Sequence, residues 1–235
     1  MTGSIRLFTT EALLAHAAIP ATAEQAHYLG AVMRRGPGSD VLLFNGRDGE
    51  WRATIDSIRK DRAQFLPVQQ TRQQQPLPEL TLVFAALKRD TTNMVIEKAT
   101  ELGVTQIQPV FTERTNTARL NLDRFAAIAR EAAEQSERLC VPAIHEPLRL
   151  YDLLASWPTD RVLSAAIERS DAPRPVFRGF PKALLVGPEG GFTPTELDAM
   201  RRLTFIEPIG LGPLILRAET AAIVGLALLQ TPPPG

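Results

Sequence analysis

The sequence has very little of two residue types on which common protein chemistries depend. Cys140 is the one cysteine, so the chain can form neither an internal disulfide nor a zinc site built from cysteines, and a reducing compartment is expected. The three histidines, His16, His27 and His145, are scattered and have no matching acidic residues around them. We therefore expect no metal site.

Long apolar runs and net charge are also missing. The longest apolar run, residues 221–229, is far below the ~20 residues that cross a bilayer, and the N-terminal segment carries Arg6 and Glu11 without an apolar core. Neither a membrane span nor a signal peptide is expected, and we expect a cytoplasmic protein. The 26 basic and 26 acidic residues cancel, which argues against non-specific coating of nucleic acid. The composition that remains, 44% apolar and 22% charged, is typical of a globular protein.

The chain has two regions with different patterns. In the first, apolar residues alternate around the turn Asn45–Gly46, which predicts a β-hairpin from residues 41–44 and 51–55. Residues 69–78 are polar and rich in Gln and Pro, which predicts a linker and a domain boundary near residue 75. From residue 81 onward, apolar strands alternate with helices, the pattern of an α/β domain. The final predicted helix, residues 217–230, is apolar nearly all round and must be covered by its own domain or by a second subunit.

Two glycine-rich segments follow predicted strands of the second region. Residues 187–191 (GPEGG) come directly after a buried strand, and residues 210–216 (GLGPLIL) repeat the arrangement about twenty residues later. Glycines at the carboxyl end of a strand let a ligand approach the backbone, and ligands bind at that edge of an open α/β sheet. We expect the two segments to leave neighbouring strands and to form one pocket. The alternative is a pair of tight turns that need glycine only for their backbone angles.

Two known glycine motifs can be compared with this spacing. A Walker loop requires Gly-Lys-Ser/Thr, which is absent, so a nucleotide triphosphatase is not expected. A dinucleotide fingerprint is closer, because Glu207 follows the first segment at the distance of a ribose-binding acid, but the glycine order differs. A Rossmann-type nicotinamide-dependent oxidoreductase therefore stays an alternative.

In combination, several motifs carry a family resemblance. They are RLF (6–8), HYLGAVMRRGPG (27–38), IEKATELGVTQIQPVFTER (96–114), EAAEQSERLCVPAI (131–144), LVGPEGGFTPTE (185–196) and LGPLILRAETA (211–221). The chain resembles the bacterial 16S ribosomal RNA (uracil-N3)-methyltransferases of the SPOUT class over nearly its whole length. The resemblance implies a PUA-like β-barrel RNA-binding domain (residues 1–75) and an α/β SPOUT domain with a trefoil knot (residues 76–235). It also implies a homodimer that uses S-adenosylmethionine and acts on 16S rRNA within the assembled small subunit.

The resemblance also assigns site residues. The cofactor-binding residues it implies are Gly187, Pro188, Glu189, Gly190 and Gly191 in the first segment, and Leu211, Gly212, Leu214, Ile215 and Leu216 in the second. Leu214 stands where the family commonly has Arg, and Ala218 where it commonly has Thr. A non-catalytic RNA-binding protein on the same fold is therefore a further alternative.

The chemistry of N3 methylation suggests two catalytic residues. Uracil N3 becomes nucleophilic only when its proton leaves, so a base or a cation that stabilises the resulting anion is needed. The candidates are Arg217, which would stabilise the anion, and Glu219, which would take the proton or position the substrate, because both follow the second glycine segment. Cys140 is not expected to act, because methylation at N3 needs no covalent adduct to the ring.

Of the 26 basic residues, 22 are arginine, the side chain best suited to bidentate phosphate contacts, although a GC-rich genome produces the same bias. The candidate RNA-binding residues are Arg6, His27, Arg34 and Arg35 in the first domain and Arg114 and Arg138 in the second, the last two flanking the expected active site. The alternative is that these arginines are solvated and pair with nearby acids.

Overall fold

The chain folds into two compact units. The computed structural model describes residues 5–116, 119–167, 172–175 and 179–231. The first unit comprises residues 1–76 and 133–141, and the second comprises residues 77–132 and 142–235. The units differ from the predicted domain ranges because residues 133–141 belong to the first unit.

The first unit is built on a five-stranded sheet. Its strands are β1 (Arg6–Phe8), β2 (Ile19–Pro20), β3 (Asp40–Phe44), β4 (Glu50–Arg59) and β5 (Arg62–Arg72), in the order β1-β3-β4-β5-β2. Helix α1 (Ala23–His27) continues into a π-helical turn, Tyr28–Val32. Strands β3 and β4 pair antiparallel, which confirms the predicted hairpin. One apolar core, which includes Leu7, Leu43 and Phe65, supports the sheet.

The linker predicted for residues 69–78 begins later in the structure than the sequence indicated. Strand β5 extends to Arg72, and Gln70 and Arg72 pair with Trp51 and Glu50 of β4. Strand pairing is made by backbone N–H and C=O groups. A run of polar side chains, with no alternation of apolar residues, therefore did not prevent strand formation.

The second unit is built on a seven-stranded parallel sheet. Its strands are β6 (Leu80–Ala85), β7 (Gln106–Phe111), β8 (Ala143–Ile144), β9 (Leu148–Arg149), β10 (Leu163–Ala166), β11 (Lys182–Val186) and β12 (Ile206–Ile209). The order is β12-β10-β11-β6-β7-β8, and β9 pairs with β7. Every residue of β6 and β11 is buried, which explains why these strands are apolar runs instead of alternating sequences.

Helices cover both faces of the second sheet. The helices are α2 (Arg89–Glu101), α3 (Leu122–Gln135), α4 (Leu150–Ser156), α5 (Pro194–Arg201) and α6 (Ala218–Gln230). Residues of α4 and α5 share a core with Leu185 of β11, while the adjacent Leu184 lies against Gly225 of α6. Since neighbouring strand residues point to opposite faces, α4 and α5 lie on one face and α6 on the other. This arrangement confirms the α/β class.

Helix α6 packs closely on the sheet. A Cβ atom at Gly225 would lie 2.8 Å from Leu184 Cδ2, so a residue with no side chain permits the close approach. Ala222, Leu226 and Leu229 are buried on the same helix. Its remaining apolar residues are half-buried, so its own unit covers much of the predicted apolar helix.

Candidate active site

The carboxyl ends of three parallel strands lie at one edge of the sheet. In the strand register, Ala166 of β10 pairs with Val186 of β11 on one side and with Ile209 of β12 on the other. The two glycine segments begin directly after β11 and β12. The expectation that they leave neighbouring strands is wrong, because β10 lies between them.

The first glycine segment is a tight turn. Gly191 N–H donates to the Pro188 carbonyl oxygen at 2.9 Å, and Gly191 has φ +67°, a value that favours glycine. Helix α5 begins just beyond it with the predicted capping box, in which the Thr193 hydroxyl accepts from Glu196 N–H. The turn and the helix start thus form one continuous local structure.

The second glycine segment is held by residues 172–173. Gly210 N–H donates to the Pro173 carbonyl oxygen at 2.9 Å. A Cβ atom at Gly210 would lie 2.4 Å from the Ala172 carbonyl oxygen, so a side chain cannot fit there. Beyond it, Leu214 and Ile215 are 77% and 58% exposed. The segment therefore combines an anchored start with an exposed apolar end.

The two segments line one cavity of about 980 Å³. All ten residues predicted to bind the cofactor line it, and so do Arg114, Arg217 and Glu219. Gly210 and Pro213, which belong to the predicted second segment, line it as well. The lining residues that were not predicted are Lys88, Thr91, Ala166, Ile167, Val186, Phe192, Leu197, Ile209, Ala218 and Ala221. Lys88 and Thr91 could have been found, because they follow the buried strand β6 and strands of a parallel sheet end at the same edge.

The two candidate catalytic residues lie where α6 begins. Arg217 is the residue preceding the helix and is exposed, and Glu219 is half-buried in its first turn. Within the described part of the chain, neither side chain forms an ion pair or hydrogen bond. Both groups are therefore available to a ligand in the cavity.

Two residues after β7 connect that strand to the first glycine turn and to α5. Arg114 Nη1 donates to the Gly190 carbonyl oxygen at 2.7 Å. Glu113 N–H donates to Glu196 Oε1 at 2.9 Å, and Glu196 Oε2 accepts from Thr193 N–H at 2.8 Å. We call this set of contacts the β7–α5 clasp. Glu196 has no exposed surface, so the clasp is built on a fully buried carboxylate.

A tyrosine lies beside the clasp. The Tyr151 hydroxyl donates to Glu113 Oε1 at 3.2 Å. Partial removal from water and the Glu113 carboxylate raise the pKa of Tyr151. The hydroxyl therefore stays protonated at neutral pH and acts as a donor.

The structure places the predicted RNA-binding residue Arg6 in the interior of the first unit. Arg6 is 8% exposed, and its Nε donates to Glu50 Oε2 at 2.8 Å. Its other two nitrogens donate to backbone carbonyl oxygens of residues 133, 134 and 138. All three guanidinium nitrogens have partners, which favours a structural role for Arg6 over contact with RNA.

Arg138 was expected to flank the active site in the second domain, and this placement is wrong. Arg138 belongs to the first unit, donates to Cys140 Sγ at 3.3 Å and does not line the cavity. The chain leaves the second unit within α3, which sequence order alone does not reveal. The other candidates in the first unit are His27 and Arg34, which are exposed, and Arg35, which is half-buried.

Two further observations concern metal-binding groups and membrane-spanning helices. In the ranges that the structure covers, no three His, Cys, Asp or Glu side chains are grouped closely enough to hold a metal ion. Across the same ranges, no helix is long and apolar enough to span a bilayer. Cys140 is half-buried in the first unit and is not a lining residue of the cavity.

Two family profiles match the chain. Residues 73–230 match the RNA methyltransferase domain, and residues 21–68 match the RNA methyltransferase PUA domain. The ribosomal RNA small subunit methyltransferase E of Rickettsia conorii is 33% identical over 89% of this chain and 88% of its own length. The Synechocystis protein of the same name is 33% identical over 96% of this chain and 77% of its own length.

Solved structures are similar over nearly the full length. A Legionella pneumophila methyltransferase with bound S-adenosylmethionine has a TM-score of 0.86 and 28% identity, covering 97% of this chain and 98% of its own. Ribosomal RNA small subunit methyltransferase E of Neisseria gonorrhoeae, bound to S-adenosylmethionine, has a TM-score of 0.85 and 28% identity, covering 97% of each chain. A parallel sheet with two glycine segments around one cavity, in a chain with these profiles, is the architecture of an RNA methyltransferase. The chain belongs to the ribosomal RNA small subunit methyltransferase E family.

Proposed function

We propose that this protein transfers a methyl group from S-adenosylmethionine to N3 of one uridine in 16S ribosomal RNA. The observation that carries the proposal is the cavity at the carboxyl edge of the sheet, around which both glycine segments converge. Family membership supports it, because relatives are named small-subunit rRNA methyltransferases and two similar structures hold S-adenosylmethionine. The family relationship favours this activity over a nicotinamide-dependent oxidoreductase.

The residues around the cavity fit S-adenosylmethionine. The volume of about 980 Å³ lies within the roughly 300–1,000 Å³ of small-molecule sites. Apart from the two neighbours of Gly212 in the chain, no described residue has a heavy atom within 4 Å of the position of a Cβ atom there, so the backbone is open to a ligand. Backbone groups of both glycine segments would hold the adenine and ribose, between apolar walls from Leu211 and Leu216. Leu214 is exposed, so its departure from the family leaves the glycine scaffold intact.

The proposed chemistry needs two side chains besides the cofactor, which supplies a methyl group already activated on a sulfonium. The Glu219 carboxylate takes the proton from uracil N3, and Arg217 stabilises the negative charge that spreads over O2 and O4. The bond from N3 to the methyl carbon would form as the sulfur–carbon bond breaks, and the sulfur would keep the electron pair of that bond as the neutral thioether of S-adenosylhomocysteine. The proton stays on Glu219, so atoms and charge balance.

Calorimetry and mass spectrometry test the activity. We expect the protein to bind S-adenosylmethionine and not NAD in isothermal titration calorimetry. Failure to bind S-adenosylmethionine while RNA binding persists supports the non-catalytic alternative. Mass-spectrometric mapping should find one N3-methyluridine missing from the 16S rRNA of a strain that lacks the gene. An unchanged methylation map contradicts the proposal.

Single-turnover kinetics test the two catalytic roles. Arg217→Ala should slow methylation by about 10²-fold or more while cofactor affinity stays unchanged. Glu219→Gln should change the pH–rate profile, because the titrating base is gone. A parental rate in the first variant, or a parental profile in the second, removes that residue from the mechanism.

We also infer a cytoplasmic homodimer that acts on the assembled small subunit, and a trefoil knot in the second unit. The half-buried apolar side of α6, which includes Ile223, Val224 and Leu228, supports the dimer, since such a surface is stabilised by a partner. Sedimentation equilibrium should give twice the chain mass, and a monomer at micromolar concentration contradicts the dimer.

The RNA contacts that we propose for the first unit are His27, Arg34 and Arg35. An RNA affinity that does not depend on salt concentration contradicts them.

A further inference from the structure

The cavity has two chemically different sides. The carboxyl edge is ordered β12, β10, β11, β6, β7, so both glycine segments lie on the β12–β11 side. On the β6–β7 side the lining residues are Lys88, Thr91 and Arg114, all with polar side chains. Lys88 lies three residues beyond the end of β6, and Arg114 three residues beyond the end of β7. A bound cofactor on the glycine side leaves this polar side for the substrate.

Among the described cations on this side, Lys88 is the one whose side chain has no partner. The side chain is exposed, and its ammonium forms no ion pair within 4.0 Å and no hydrogen bond with any described residue, Glu189 of the same cavity included. By contrast, Arg114 already donates to the Gly190 carbonyl, and Lys98 pairs with two glutamates outside the cavity. The Lys88 ammonium thus retains its full capacity to bind an anion.

The charges around the cavity favour an anion on the β6–β7 side. Among the described residues, the acids that line the cavity are Glu189 in the glycine segment after β11 and Glu219 in the first turn of α6, which follows the segment after β12. Among the described lining residues the β6–β7 side contributes no acid, two cations and the Thr91 hydroxyl. An ammonium with a hydroxyl close by in sequence suits the point charge and multiple acceptor oxygens of a phosphate.

We propose that Lys88 binds a backbone phosphate of the RNA strand beside the uridine that is methylated. This inference rests on the proposed function and deepens it, because it names a substrate contact in the methyltransferase unit that the sequence motifs did not indicate. The same ammonium could bind the carboxylate of S-adenosylmethionine, which shares the chemistry of an oxyanion. Measurements of the two affinities distinguish these sources.

The test measures binding of small ribosomal subunits from the gene-deletion strain, and of S-adenosylmethionine, by parent and variants. For Lys88→Ala we expect subunit affinity to fall about three- to tenfold at 0.1 M salt. The slope of log K against log salt should decrease by about 0.7–0.9, the value for one lost phosphate contact. Cofactor affinity by calorimetry should stay unchanged, and Lys88→Arg should restore subunit affinity and slope.

Arg89→Ala is the matched control. Arg89 is the exposed neighbour of Lys88 and carries the same charge but does not line the cavity, so its variant should bind subunits like the parent. Parental affinity and slope in Lys88→Ala overturn the inference, as do equal losses in Arg89→Ala or a loss confined to cofactor affinity. Thermal melting of each variant, with Lys88→Gln as a second substitution, separates these outcomes from misfolding. Failure of the proposed function is distinct, because the parent protein itself then binds no cofactor or subunit.

Discussion

Replacing Glu196 by alanine should destabilise the second unit substantially. The carboxylate is fully buried and accepts hydrogen bonds from the backbone N–H groups of Glu113 and Thr193. A hydrogen bond to a charged group contributes about 1.5–3 kcal/mol, and alanine leaves both donors without this partner. Removing a buried charge recovers part of that loss, because its desolvation cost disappears. We expect a net decrease of about 2–4 kcal/mol in the free energy of unfolding.

The unfolding of each unit can be followed separately, because each unit contains one of the two tryptophans. Trp51 lies in the first unit and Trp157 in the second, so urea unfolding in a Trp51→Phe background reports the second unit by Trp157 fluorescence. Glu196→Gln keeps one acceptor oxygen, so we expect its free energy of unfolding to decrease by about half as much as that of Glu196→Ala. The control is Asp198→Ala on the same helix, which removes only an exposed ion pair with Arg201 and should cost less than about 0.5 kcal/mol.

The stabilising role of the clasp is refuted if the free energy of unfolding of Glu196→Ala lies within about 0.5 kcal/mol of the parent's. It is also refuted if Glu196→Ala loses no more stability than Asp198→Ala. A second readout concerns the site. Glu113 is adjacent to Arg114, which donates to the Gly190 carbonyl oxygen. Without urea, and at a temperature at which the Glu196→Ala variant is folded, we therefore expect it to bind S-adenosylmethionine more weakly than the parent.

Three further predictions concern other described residues. Arg6→Ala should lower the free energy of unfolding of the first unit, measured in urea, by about 2–4 kcal/mol, because the buried Glu50 carboxylate keeps only Thr71 and the more distant Arg72 and three carbonyls lose their donor. A loss below about 1 kcal/mol contradicts this role. Gly191→Ala should lower the free energy of unfolding by about 1–2 kcal/mol, because Gly191 has φ +67°, which alanine adopts only with strain. It should also weaken cofactor binding in calorimetry. Parental stability together with parental cofactor affinity contradicts the predicted strain. The backbone N–H of Leu13 and the Asn45 amide lower the pKa of Asp48, so this carboxylate stabilises the fold above pH 3.8 and the contribution is lost as pH falls through the folded pKa. The stability gap between the parent and Asp48→Asn should therefore narrow between pH 6 and pH 3, and a constant gap contradicts the assignment.

The sequence alone determined the local elements and their approximate bounds. The alternation around Asn45–Gly46 predicted the β3–β4 hairpin, and Thr193 with Glu196 predicted the start of α5. Both glycine segments were recognised as a ligand site, and all ten of their selected residues line one cavity. These features are local because they depend on side-chain period and on backbone angles within a few residues.

Only the tertiary structure decided which distant residues meet. It placed β10 between the two glycine strands, buried Arg6 against carbonyls 127–132 positions away, and joined Glu113 to Glu196 across 83 positions. It also showed that Lys88, a residue that follows the buried strand β6, lines the cavity. Such contacts depend on strand order and on how buried polar groups find partners, and neither leaves a periodic signal in the chain.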